Sequence, residues 1–305
     1  MTNSIFEPSV FFISEEEWMD GEKRDAFLEH FLNHLETISS YSITKVYWTD
    51  FLEELLTNHI YSPPWVSDVK WGNQFFPILY NKFNPIKLIL DLESSWEPCQ
   101  SNPSLPSSKF EAEIVGRFLE LVHLLIDRNE KVYFCLGYDA QKTDCLSYCF
   151  SCECHQNQLE PTIIVNPNDW FNHVDISSVC WPKNVRDAFK LQLAIEIVLK
   201  NKLLKQITDF QYIYEFSESF IKDISKEANY REQILFSLAK RLTLTQGEAA
   251  SDKGLNDEQV KGKKKKDNIR RFRVSKVCRI HYKYSSNGNL LLLNYYGEGQ
   301  HDDGL

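Results

Sequence analysis

Arg271, Arg273, Lys276, Arg279 and Lys283 fall in a stretch where basic and apolar residues alternate, and His301 follows in the closing segment. Cleavage of RNA through its own 2′-hydroxyl needs a proton carrier that titrates near neutral pH and fixed cations for the extra charge on the phosphorane. Histidine meets the first need, and arginine, whose charge is not lost, meets the second. In a strand the two-residue period turns Arg279, His281 and Lys283 one way and Cys278, Ile280 and Tyr282 the other. Between Lys261 and Lys283 stand 11 Lys+Arg and one acidic residue, Asp267. Lys263, Lys264, Lys265 and Lys266 form a run that grips phosphates without choosing among them. Tyr295 and Tyr296 could stack on a base, although strand alternation sends at least one of them into a core. The competing readings are a solvated basic face for the cations and an ordinary terminal residue for the histidine.

The elements that must position these residues follow a simple order. Residues 212–216 are predicted as a strand, 219–226 and 230–242 as a helical hairpin, 246–268 as a polar lysine-rich loop, and 270–274, 278–284 and 290–296 as three strands. Ser286, Asn287 and Gly288 between the last two strands give a hairpin turn, because Asn-Gly accepts positive φ.

In this order and spacing, residues 212–305 resemble the RelE, YoeB and YafQ group of bacterial toxins. The resemblance rests on YIYEFSESFIKDI, RRFRVSKVCRIHYKY and LLLLNYYGEGQHDDGL, and covers about a third of the chain. It implies a small α+β domain of order β-α-α-β-β-β that cleaves messenger RNA, typically on the ribosome, without a metal ion or other cofactor. By position, Arg279 matches the arginine of the family's penultimate strand, Arg271 or Arg273 the basic residues of the strand before, and His301 the carboxy-terminal histidine of the YoeB and YafQ branches. Lys276 joins these as a catalytic candidate; Lys263 to Lys266, Lys283, Tyr295 and Tyr296 are candidates for holding RNA. The acidic base of the family has no counterpart here beyond Asp257 or Glu258. The ParE branch of the same superfamily binds a topoisomerase instead of cutting RNA, which leaves as alternatives a protein-binding inhibitor, or a domain that docks on RNA without cutting while the amino-terminal domain carries a separate activity through Asp50 and Asp91. An antitoxin protein is an implied partner, and toxin–antitoxin or antiviral defence the implied setting.

The first two thirds alternate strand-like runs (residues 10–13, 45–48, 87–92, 131–137 and 162–165) with helical patterns, as a layered α/β domain does. Phe27, Leu28, Phe31, Leu32, Leu35 and Ile38 recur at helical spacing; Ser108 and Glu111 form a capping-box pattern; Pro182 suits the first turn of a helix running to Lys205. A boundary at residue 205 separates an acidic domain, 1–205, with a net charge of −12, from a basic one, 206–305, with +3. The acidic part could mask the basic face or sense a small nucleotide, although no glycine-rich phosphate loop is present. Asp50, Asp91 and Glu93 at strand ends could hold magnesium, and Cys145, Cys149, Cys152, Cys154 and His155 could hold zinc; helix caps and buried thiols are the plainer readings. No apolar run reaches the roughly 18 residues that span a bilayer, so a cytoplasmic protein with free thiols is expected.

Overall fold

The structure, a computed structural model, describes residues 2–57, 61–91, 100–102, 105–139, 148–152, 156–260 and 268–299. The chain divides into two compact units, Met1–Val174 and Asp175–Leu305.

The first unit runs β1 (Asn3–Phe6), α1 (Glu15–Met19), α2 (Gly21–Tyr41), β2 (Val46–Trp48), α3 (Asp50–Thr57), α4 (Pro64–Ser67), α5 (Val69–Ile78), β3 (Lys87–Ile89), β4 (Gln100–Asn102), α6 (Ala112–Asp127), β5 (Val132–Cys135), β6 (Cys149–Ser151) and β7 (Thr162–Ile164). Five strands pair in the order β3-β2-β1-β5-β7, every pair parallel, while β4 and β6 form a separate antiparallel pair. Phe134 of β5 stacks on Phe118 of α6, and the next residue, Cys135, meets His34 of α2. Successive strand residues face opposite ways, so the sheet carries a helix on each face, as the α/β expectation requires.

Three local expectations are corrected. Residues 10–13 are not a strand: Pro8–Val10 is a 3-10 turn. Val10, Phe11, Phe12 and Ile13 are buried because the loop folds back into the core, where the Phe11 ring lies 5.1, 4.8 and 5.0 Å from those of Phe31, Trp48 and Phe83. An apolar run reports burial, and burial does not choose between strand and loop. The Ser108–Glu111 capping box is not formed either, since Pro106–Lys109 closes into a 3-10 turn and Glu111 precedes α6 without a side-chain cap. The helix expected from Pro182 begins at Ala188, after a turn capped by Asn184.

The strand order reverses between β1 and β5. Glu7, just past β1, is fully buried there and accepts hydrogen bonds from the Ser9 N–H (2.8 Å), the Ser9 hydroxyl and the Ser107 N–H (2.6 Å). Burial raises its pKa against the pull of those donors. Ser9 Oγ also accepts from the Gly137 N–H at 3.0 Å, joining the turns after β1 and β5. A Cβ on Gly137 would collide with the Ser9 side chain and lie 2.6 Å from its carbonyl oxygen. Gly137→Ala is therefore expected to cost about 1–3 kcal/mol of stability, read as a lower urea midpoint; an unchanged midpoint would show that these turns are not locked together.

On the α2 face, His34 Nδ1 accepts from the Trp170 indole at 2.9 Å and its Nε2 lies 3.3 Å from the Val165 carbonyl, a pairing that suits the neutral ring. Burial, and then His30 beside it, hold its pKa down to about 3, from 6.5. The unfolded chain takes up a proton below pH 6.5 while the folded chain does not until about pH 3. The His34 contribution is thus complete above 6.5 and is lost as pH falls through that window, at about 1.4 kcal/mol per pH unit. Urea unfolding at pH 7, 6 and 5 should show the decline, and a flat series would refute the buried neutral ring.

The second unit runs α7 (Ile176–Val179), α8 (Ala188–Lys202), β8 (Tyr214–Phe216), α9 (Glu218–Ile224), α10 (Arg231–Leu242), α11 (Gln246–Ser251), β9 (Glu258–Gln259), β10 (Arg270–Arg273), β11 (Arg279–Tyr284) and β12 (Leu290–Tyr296). Its sheet has the order β8-β12-β11-β10-β9, with β8 parallel to β12 and every other pair antiparallel. The boundary lies upstream of residue 205 because α8 packs along α10, burying Leu191, Ile195, Val198 and Leu199. Placed there, the charge asymmetry sharpens: 11 Lys+Arg against 26 Asp+Glu in the first unit, 23 against 17 in the second. The segment expected to be loop contains α11, begun by a reciprocal Thr245–Glu248 capping box, and β9. Gly288 has φ of 81° in the β11–β12 hairpin turn, as Asn-Gly foretold. No described helix is long and apolar enough to cross a membrane.

Candidate functional site

Directly opposite residues of an antiparallel pair project to the same side of a sheet. The pairs Phe272–Ile280, Ile280–Tyr295, Tyr282–Leu292 and Tyr284–Leu290 form the apolar side, and all but Tyr284 are buried. The pairs Arg271–His281, Arg273–Arg279, Arg279–Tyr296 and Lys283–Leu291 form the other side. Between His281 and Tyr282 the register shifts, because β12 carries one extra residue, Leu293. That bulge keeps Leu292 and Tyr295 on the apolar side even though their separation is odd. Its carbonyl accepts from the Ser217 hydroxyl at 2.7 Å, in the residue that also caps α9.

Arg271, Arg273, Arg279, Lys283 and Tyr296 are thus brought to one face, each half-buried. Arg271 pairs with Glu258 at 2.8 Å. Arg273 Nε is buried with no hydrogen bond among the described residues. The Arg279 guanidinium bonds the carbonyls of Ser275 and Cys278, both at 2.9 Å, holding the β10–β11 turn. Lys276 stands in that turn, exposed, rather than on the strand face. Tyr295 belongs to the apolar side: it is buried, and its hydroxyl donates to Glu227 at 2.7 Å, so of the two tyrosines only Tyr296 can meet a base. His301 and Lys263, Lys264, Lys265 and Lys266 lie outside the described residues.

The two acidic candidates separate cleanly. Asp257 is buried behind the sheet and accepts from Arg241 Nε at 2.6 Å, Arg270 Nε at 3.0 Å and the Tyr282 hydroxyl at 2.7 Å. Arg241, 1% exposed, spends its other nitrogens on the Tyr282 and Tyr284 hydroxyls and the Leu244 carbonyl. Burial pushes the Tyr282 hydroxyl well above its ordinary range, so it remains a donor. Glu258 is the register partner of Arg271 and lies on the basic face. His281 shares the face with Arg271, its register partner, as its alternation with Arg279 and Lys283 in the sequence implies.

Of the other metal-binding readings, Asp50 opens α3, Cys149 is half-buried on β6 near Gln158, and Cys145, Cys154, His155 and Glu93 lie outside the described residues. Among the described residues no group of three or more His, Cys, Asp or Glu is placed to hold a metal ion.

No known family matches the chain by its sequence pattern, and no curated protein matches it. Among solved structures, the crystal structure of a copper-bound mutant toxin from Helicobacter pylori is similar at 21% identity, over 31% of this chain and 100% of that one, with a TM-score of 0.22.

The division of the acids is directly testable. Asp257→Ala strands the buried Arg241 and half-buried Arg270 guanidinium groups and should cost about 3–5 kcal/mol, whereas Glu258→Ala breaks a half-exposed pair and should stay within about 1 kcal/mol of the parent. Denaturant midpoints check both; equal losses would contradict the placement of Asp257 behind the sheet.

Proposed function

We propose that the second unit is a metal-independent endoribonuclease of RelE type that cleaves messenger RNA, on the ribosome, and that the first unit regulates it. The observation that carries this reading is the gathering of Arg271, Arg273, Arg279 and Lys283 with Tyr296 and His281 on the side of the sheet away from its apolar face. The β-α-α-β-β-β order expected from the resemblance is also present, interrupted by α11 and β9.

In the proposed reaction a ribose 2′-hydroxyl loses its proton and attacks the adjacent phosphorus, and the 5′-oxygen departs with a proton, leaving a 2′,3′-cyclic phosphate. Arg273 and Arg271 stabilise the charge on the phosphorane, His301 moves a proton, and Lys263 to Lys266 with Lys283 hold the RNA backbone. Tyr296 supplies the ring for stacking. An antitoxin protein and a small nucleotide ligand of the first unit are the proposed regulators, in toxin–antitoxin or antiviral defence within the cytoplasm.

One observation favours the alternative of a protein-binding inhibitor: the Arg279 guanidinium is already committed to turn carbonyls. Cell-free translation with messenger cleavage as readout distinguishes the two. The full chain, the unit Asp175–Leu305, and each carrying His301→Ala or Arg273→Ala are compared, with product analysis on free RNA in EDTA. Chelator-resistant cutting that falls at least a hundredfold in both variants is expected. Cutting by the isolated unit and not by the full chain would make the first unit its restraint. Absence of cutting in every form sinks the ribonuclease and leaves the inhibitor.

A further inference from the structure

Strand β8 accompanies β12 only as far as Leu292, which pairs with Phe216. Beyond that point the edge of β12 is answered by α9 and its cap. The Ser217 hydroxyl donates to the Leu293 carbonyl at 2.7 Å. One oxygen of Asp223, Oδ2, accepts both the Tyr295 N–H and the side-chain Nδ2 of Asn294, each at 3.3 Å. Asn294 is thereby tied down through the residues on either side of it as well as through its own amide. It is the register partner of His281, which puts it on the basic face, two residues before Tyr296 on the same side of β12. Its neighbours there are His281 across the strand pair, Asp223 at the sheet edge and Tyr296 along the strand, whose ring centroid lies 4.5 Å from that of His281.

Two donors converging on one oxygen make Asp223 an acceptor, so the Asn294 amide must turn its nitrogen to the edge and its oxygen away from it. That oxygen, Oδ1, makes no hydrogen bond among the described residues, and the side chain that carries it is half-buried. A fixed amide oxygen can only accept, and the donor that projects furthest from a nucleobase is an exocyclic amino group. Same-side neighbours on a strand stand about 7 Å apart, so a base stacked on Tyr296 brings its edge within reach of Asn294. We propose that Asn294 selects the base, its Oδ1 accepting from the exocyclic amino group of a nucleotide stacked on Tyr296. The inference rests on the nucleic-acid reading of the face given above. Bases that carry an amino group are favoured over uracil, which has none and whose ring N–H lies between two carbonyl oxygens that oppose an acceptor. Asp223 is a positioning residue: it does not touch the RNA, and it acts by holding the amide the right way round.

The test measures the affinity of the full chain for fluorescein-labelled oligonucleotides of adenosine and of purine riboside, which keeps the ring system and lacks the amino group. Both are 2′-O-methyl strands, so that neither can be cut. The unaltered chain should bind the adenosine strand about two- to tenfold more tightly, the range that one hydrogen bond supplies. Asn294→Ala should bind both strands equally, at the level at which the unaltered chain binds purine riboside. Asp223→Ala should lose the preference too, and Asp223→Asn, which keeps an acceptor oxygen for the amide, should restore it. Because each variant is read as a ratio between two strands, and its binding of the purine-riboside strand should stay at the parent's level, a merely misfolded variant is told apart. Equal affinity of the unaltered chain for the two strands, or a preference that survives Asn294→Ala or Asp223→Ala, overturns the inference while the RNA-binding reading stands. Failure of the unaltered chain to bind either strand overturns both.

Discussion

One carboxylate holds the second unit's sheet to its helices. Asp257 sits between Arg241 of α10 and Arg270 of β10, with the Tyr282 hydroxyl of β11 as a third donor. A guanidinium that is 1% exposed is costly unless both its charge and its donors are answered. Here Asp257 answers the charge, and two tyrosine hydroxyls and a main-chain carbonyl answer the remaining N–H groups. Because Asp257 precedes β9, the same bonds fix where β9 joins the sheet edge, and so where Glu258 meets Arg271. The basic face is in this sense the outer consequence of a neutralised cluster within.

The bulge does the complementary work along the other axis. Were Leu293 to take a place in a regular ladder, the register that puts Ile280 opposite Tyr295 would turn Leu292 away from the apolar side, and one half of β12 would expose its hydrophobic residues; the bulge takes up the odd residue. With it, Leu290, Leu292 and Tyr295 are all buried, and the opposite side carries arginine, lysine, histidine and Tyr296 together with Leu291 and Asn294. The sidedness of the two halves of β12 thus depends on the bulge that takes up Leu293.

Much of this was legible in the residues. Strands β10 and β11 show as alternation of Arg or Lys with Phe, Ile or Tyr, β12 as an apolar run, and the hairpin as Asn-Gly. The bulge was not legible, because Leu-Leu-Leu-Leu-Asn-Tyr-Tyr has no break in its pattern; pairing with β11 reveals it. Nor could sequence tell Asp257 from Glu258, neighbours with opposite fates set by which way the chain enters β9. In the first unit the alternation of strands and helices was anticipated and the buried loop at Val10 to Ile13 was not, since Phe11 packs as a strand residue would while its backbone turns. The missed boundary before α8 has a similar origin: an amphipathic helix declares a face to bury, not the surface that buries it.

The cations of the face are not equivalent as partners for a phosphate. Arg279 must surrender three carbonyl bonds, or reach past them, before it can bind an anion, and losing it would also loosen the β10–β11 turn. Arg271 must exchange Glu258, a half-exposed and therefore weak partner, so that exchange costs little. Arg273 has a buried Nε with no bond to give up among the described residues, and its desolvation has been met in folding. A phosphate oxygen accepting from that nitrogen answers a donor already out of water, whereas on Arg279 it only replaces one acceptor by another. The order Arg273, Arg271, Arg279 follows from these differences, and it makes Arg273 the cation most nearly prepared for an arriving charge.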